Sequence, residues 1–183
     1  MTRPARRRTS VLLAVVVGGV VLGGCGGADP ADVFPDRPQD IDVAGLDPCA
    51  ALTTAKQAEL GVETGEPGQN DVDGARARNC GWNNFDSGSS YSVQLIGIDA
   101  SQALGDTRTV ETVAGYGAVR QTQYTDSAPM CALIIDIHDG QIMRVLAQTT
   151  RWVDGRPRPI DEVCRDASTV AADAVNEARR LAG

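Results

Sequence analysis

Reading from Asp47 onward, the hydrophobic pattern predicts helix, then strands, then helix. Asp47-Pro48 marks a helix start, an acid at the N-cap followed by proline at the first helical position. Thr54 and Gln57 offer a capping box for a helix that ends at Gly61. The stretch from Gly65 to Gly74 is turn-rich. Cys80 to Phe85 and the alternating Tyr91 to Ile96 read as strands joined by Asp86-Ser87-Gly88. A further strand is expected over Ala118 to Tyr124, after the bend Gly115-Tyr116-Gly117. The strongest local signal is a hairpin in which Cys131 to His138 is β-prone, Asp139-Gly140 suits a tight primed turn, and Ile142 to Thr149 returns. From Ile160 to Leu181, Val163, Ala167, Val170, Ala171, Ala174, Ala178 and Leu181 share one helical face, and Arg179 and Arg180 sit at its negative end. The expected class is α+β, a single folded domain over 47–183: an antiparallel sheet of about five strands, packed by an N-terminal and a C-terminal helix. No internal repeat is visible.

Upstream of Asp47 the pattern changes twice. Val11 to Leu22 is a continuous run of 12 apolar and glycine residues, preceded by Arg3, Arg6, Arg7 and Arg8. A run that short falls below the roughly 20 residues of a transmembrane helix and fits the core of an export signal. From Gly26 to Leu46 there is no amphipathic period, only Pro30, Pro35 and Pro38 among repeated aspartates, so this stretch reads as an acidic tether. As a flexible coil of about 22 residues it would span roughly 25 Å, approaching 70 Å if stretched.

Charge sharpens the picture. The 183 residues carry a formal charge of −7, but the four N-terminal arginines face no acid in the first 24 residues. The remainder holds 13 basic against 24 acidic side chains, or −11. Such a body repels phosphate backbones, so nucleic acid is not an expected partner.

The apolar run ends at Leu22-Gly23-Gly24-Cys25, which resembles the lipobox of bacterial lipoproteins. The resemblance implies a signal peptide over 1–24, diacylglycerol on the Cys25 sulfur, cleavage before Cys25, and acylation of the new amino group. The tether 25–46 would then start at the lipidated cysteine and hold the domain on the outer face of the cell membrane. Two or more acyl chains anchor stably where one is marginal.

With Cys25 assigned to lipid, Cys49, Cys80, Cys131 and Cys164 remain. Their spacing matches no zinc module, and an even number outside the cytoplasm reads as two disulfides. Three connectivities are open. Cys49–Cys80 with Cys131–Cys164 is preferred among them, since each bridge then ties a helix to a strand. Asp47-Pro48-Cys49-Ala50-Ala51-Leu52-Thr53, Cys80-Gly81-Trp82, Gly115-Tyr116-Gly117-Ala118-Val119, Cys131, and Cys164 with Ala167 occur in that order. Together they resemble the actinobacterial lipoprotein family called domain of unknown function 3558, across nearly the whole mature domain. Ala51 stands where that family often has Leu. The resemblance implies a secreted, lipidated domain with two disulfides and supplies no established catalytic residues.

Candidate chemistry is sparse. His138 is the only histidine, flanked by Asp136 and Asp139 at the hairpin end; such strand-end histidines are ordinarily solvated polar residues. Asn70-Asp71-Val72-Asp73-Gly74 carries calcium-ligand side chains. Aligning Gly74 with the turn glycine of a calcium loop puts Gln69 at the first ligand position and Cys80 where the bidentate glutamate belongs, so it reads as a surface turn. No metal or cofactor is expected. Trp82, at strand spacing from Cys80, fits a core tryptophan packed on a disulfide, with a ligand platform as the alternative. Trp152 lies among Arg151, Arg156 and Arg158 on a proline-bounded loop, a set that suits contact with an anionic ligand or a protein partner. The function expected is therefore a non-catalytic, membrane-anchored module binding an envelope ligand or partner. The alternatives are an envelope hydrolase using carboxylates around His138 and an accessory lipoprotein of a membrane complex.

Overall fold

The computed structural model describes residues 33–183 except 73, 106–108 and 124–127. Cys25 and the expected signal peptide over 1–24 lie outside the described residues.

The hairpin β6 (Met130–His138) and β7 (Gln141–Thr149) forms the centre of a seven-stranded antiparallel sheet. The other strands are β1 (Glu66–Val72), β2 (Ala75–Asn84), β3 (Ser89–Ile96), β4 (Val110–Val113) and β5 (Tyr116–Gln123), in the order β1-β2-β3-β7-β6-β5-β4. The sheet thus has seven strands, not about five. The two additions are its edges. β1 occupies the stretch expected as turns; six of its seven residues are exposed, it contains Pro67 and Gly68, and it pairs with β2 along its whole length. Proline is tolerated there because an edge strand has a side that donates to no neighbour. A two-stranded ribbon, β8 (Trp152–Val153) and β9 (Arg156–Pro157), stands apart from the sheet.

Period-two alternation assigns the strand side chains to two faces. Along β6, Cys131, Leu133, Ile135 and Ile137 join the larger core cluster under α2 (Ile160–Ala182), while Ile134 joins the smaller cluster on the opposite face. Val163, Ala167, Val170, Ala171, Ala174 and Ala178 form the buried stripe of α2; their small side chains let the helix lie close on the sheet. The second face is covered by a short 3-10 turn, Ala100–Ala103, and by Phe34. Among the described residues no helix is long and apolar enough to cross a membrane.

The N-terminal helical region is split. Asp47 accepts from the Cys49 N–H to cap a 3-10 turn over Pro48–Ala51, and the chain then restarts as α1 (Thr54–Leu60). The cap of α1 is Thr53, one residue before the expected box. Its hydroxyl accepts from the Lys56 N–H, while the Gln57 amide reaches back to the Leu52 carbonyl at 2.8 Å. Gly61 ends the helix in the left-handed conformation at φ +62°, which a Cβ would strain. The structure pairs Cys49 with Cys80, tying the 3-10 turn to β2, and Cys131 with Cys164, tying β6 to α2.

Residues 34–46 correct the expectation of a free tether up to Leu46. They form a strap packed on the domain, with Ile41 0% and Val43 4% exposed. Phe34 and Pro35 lie against Gly117 so closely that a Cβ there would stand 2.7 Å from Pro35 Cδ. Further along, the Ile41 N–H donates to the Ile137 carbonyl at 2.8 Å, the Tyr116 hydroxyl to the Gln39 carbonyl at 2.8 Å, and the Val43 N–H to Gln141 Oε1 at 2.8 Å. The Arg78 guanidinium closes the strap by donating to the carbonyls of Leu46 and Val43. The physical reason is local: in Ile41-Asp42-Val43 two apolar residues flank one acid, and β6 has a register shift between Asp136 and His138, beside the Ile137 carbonyl that accepts from Ile41.

Candidate functional site

The two ends of the sheet differ in chemistry. At one end the β2–β3 turn, Phe85 to Gly88, meets the chain leaving β7. The Thr150 N–H donates to the Gly88 carbonyl at 2.9 Å, and the turn itself is braced by the Ser87 N–H donating to Asn84 Oδ1 at 2.9 Å. Immediately beyond Thr150 the ribbon β8–β9 reverses at Asp154-Gly155 and projects Trp152. Trp152 is 53% exposed and Phe85 74%, so two of the chain's few aromatic side chains stand in solvent on adjoining turns. Arg151 and Arg156 are exposed beside them, and neither joins an ion pair among the described residues.

Arg158 separates from that set. Its Nε lies 3.1 Å from Glu162 and its Nη1 2.5 Å from Asp166, so it is bound to the first turns of α2, and the hydrogen bond to Asp166 above all raises its pKa. Trp82 separates further. It is 1% exposed and packs on the Cys49–Cys80 bridge and Gly65, where an added Cβ would lie 2.6 Å from Cys80 Sγ. The ligand-platform alternative for Trp82 is thereby corrected: an indole enclosed by its own disulfide and core offers no face to a ligand. Its Nε1–H has no hydrogen-bond partner among the described residues.

At the other end, where β3 finishes and β6 turns into β7, lies a cleft of about 370 Å³ lined by Phe34, Pro35, Asp36, Arg37, Asp40, Asp99, Ala100, Asp136 and Asp139. Arg37 organises it. Nε lies 2.7 Å from Asp40, Nη1 2.9 Å from both oxygens of Asp136, and Nη2 2.5 Å from Asp139. Burial pushes the Asp136 carboxyl above the usual range, and the Arg37 charge opposes that push. Asp99 is held below the usual range, chiefly by its bonds to Ser101 as it caps the 3-10 turn. The pair Arg37–Asp136 is absent from the sequence-based candidates. A signal for it existed: Asp136 interrupts the apolar run Ala132 to Ile137, and a carboxylate placed there needs a cationic partner.

His138 sits beside this cleft without lining it. It is partly exposed, and Nδ1 lies 3.0 Å from the Asp139 carbonyl oxygen. Asn70 and Asp71 belong to edge strand β1, with Asn70 Oδ1 accepting from the Asn79 amide, and Asp73 lies outside the described residues. Among the described residues no three His, Cys, Asp or Glu side chains converge as a metal site.

A family model described as "Protein of unknown function (DUF3558)" matches residues 20–177, and the chain belongs to that family. No curated protein and no solved structure matches it.

Proposed function

Starting from membership of a family whose description names no activity, we propose that this chain is a lipid-anchored extracytoplasmic module that binds an envelope ligand or protein partner without catalysing a reaction. The observation that carries the binding role is the aromatic end. Phe85 and Trp152 are exposed on two hydrogen-bonded turns, beside Arg151 and Arg156. Contact surfaces concentrate their energy in such residues, because Trp and Arg bury large areas and make directional bonds at modest entropic cost. The Leu22-Gly23-Gly24-Cys25 segment supports the anchor, and the two disulfides support an oxidising compartment.

The test is affinity capture of the native protein from membranes, identifying co-purifying proteins and lipid extracts in parallel for wild type and for Trp152→Ala with Arg151→Ala. Species retained by wild type and lost from the variant support the reading. Identical recovery from both removes the aromatic end from the account.

The hydrolase reading has one observation in its favour, a buried carboxyl with a raised pKa among other carboxylates in a cleft. Against it, both oxygens of Asp136 are engaged by Arg37 and thereby tie the strap to β6.

A further inference from the structure

The strap bears directly on how the domain stands on a membrane. Between Cys25 and Val33 lie eight peptide steps, which reach at most about 29 Å in any conformation. Were 26–46 free, the reach to Asp47 would be about 79 Å. Packing of 34–46 on the domain therefore removes well over half of the available tether. The strap also fixes where the chain enters. Phe34 and Arg37 lie at the cleft, beside Asp99 just past the end of β3 and Asp139 in the β6–β7 turn. The Phe85–Trp152 turns lie at the opposite end of β3, whose eight residues extend about 27 Å.

We infer that the strap sets both the height and the polarity of the domain on the bilayer: the cleft end is held next to the phospholipid headgroups, and the Phe85–Trp152 end points away from them. The inference rests on the lipid-anchored reading above. Proximity here comes from the tether and not from adhesion. The cleft places five aspartates against one arginine, a balance that anionic headgroups repel within a Debye length of about 8 Å at physiological salt. The clamp of Arg37 on Asp136, Asp139 and Asp40, with the Ile41–Ile137 and Tyr116–Gln39 bonds, is what keeps the tether short. It also gives the aromatic end a reason for its position, since a partner approaching from the envelope meets that end first.

The experiment uses the full chain, processed and purified from membranes, in phosphatidylcholine vesicles that carry a headgroup energy acceptor. A donor dye is placed on Gly97→Cys, where an added Cβ meets nothing within 4 Å, or on exposed Asp86→Cys at the aromatic end. Energy transfer to the lipid should be at least about twofold stronger from position 97 than from 86, given an offset near 27 Å. A flexible insertion of about a dozen residues between Gly27 and Ala28 leaves the strap intact and should weaken transfer from both positions, each added residue extending the reach by up to about 3.5 Å. Equal transfer from both positions in an acylated protein, or an insertion without effect, overturns this inference and leaves the anchored reading standing. A processed chain without an acyl group on Cys25 overturns both.

Discussion

Nη1 of Arg37 lies 2.9 Å from each carboxylate oxygen of Asp136, joining the strap to the C-terminal end of β6. The pair is mostly buried, with side-chain exposures of 20% and 11%. Removing the cation leaves Asp136 desolvated and uncompensated. Arg37→Ala should therefore destabilise the domain by about 3 kcal/mol, the low end for breaking a buried pair because some solvent reaches it. Urea unfolding measures the loss, and limited proteolysis should begin to cut within 38–46. Arg37→Lys should recover only part of it, because an ammonium cannot address three carboxylates as a planar fork does. Unchanged stability with an uncut strap would show that the clamp holds nothing.

Asp99 supplies a pH-dependent contribution. Its Oδ1 accepts from the Ser101 N–H at 2.8 Å, and its carboxyl is held low chiefly by hydrogen bonding to Ser101. A folded pKa below the unfolded value near 3.9 means that folding favours the ionised form. The contribution is therefore complete above about pH 4 and is lost as the pH falls through the lower folded value. Asp99→Ala should cost about 1 kcal/mol at pH 7, the size of an N-cap. The difference from wild type should narrow below about pH 4 and close once the folded carboxyl is protonated. A gap that stays constant into that range contradicts the assignment.

How much of this was legible in the residues depends on whether a segment's partners were local. The β6–β7 hairpin was readable because alternation and Asp139-Gly140 act within a few residues, and α2 because its alanine-rich stripe repeats at helical spacing. β1 was not, since a polar edge strand with six of seven residues exposed carries no burial pattern. The strap was hidden for another reason. Its prolines and aspartates have the composition of a linker, while the groups that order it, Asp136, Ile137, Gln141 and Tyr116, lie far along the chain. Asp136 was the clue, a lone acid in an apolar strand. Of the candidate contact residues, Trp152, Arg151 and Arg156 come together at one end, whereas Trp82 is core and Arg158 is bound to Glu162 and Asp166.

His138 separates binding from catalysis. It is the chain's one histidine, and a general base working near neutral pH is most often a histidine, worth roughly 10²–10⁴ in rate. His138 is partly exposed, and its Nδ1 lies 3.0 Å from the Asp139 carbonyl oxygen. His138→Ala should leave unfolding free energy within about 0.5 kcal/mol of wild type and any complementing phenotype intact. A lost phenotype with the protein folded and in place would direct the search to a substrate.

The disulfides admit a direct covalent check. Peptide mapping without reductant should recover the linked pairs 49–80 and 131–164. Replacing Cys131 and Cys164 together by alanine should cost about 3–4 kcal/mol in the chain-entropy model, since the bridge closes a loop of about 33 residues. A 49–164 link would instead join the N-terminal 3-10 turn to α2 and contradict the architecture described.

Intact mass of the mature chain, with sequencing of its first peptide, decides whether this domain works from a lipid on Cys25. The predicted result is a chain beginning at Cys25 whose first residue carries acyl chains, with Cys25→Ala accumulating as unlabelled precursor that retains residues 1–24. A mature chain that begins elsewhere, or that begins at Cys25 with an unmodified thiol, would contradict the account.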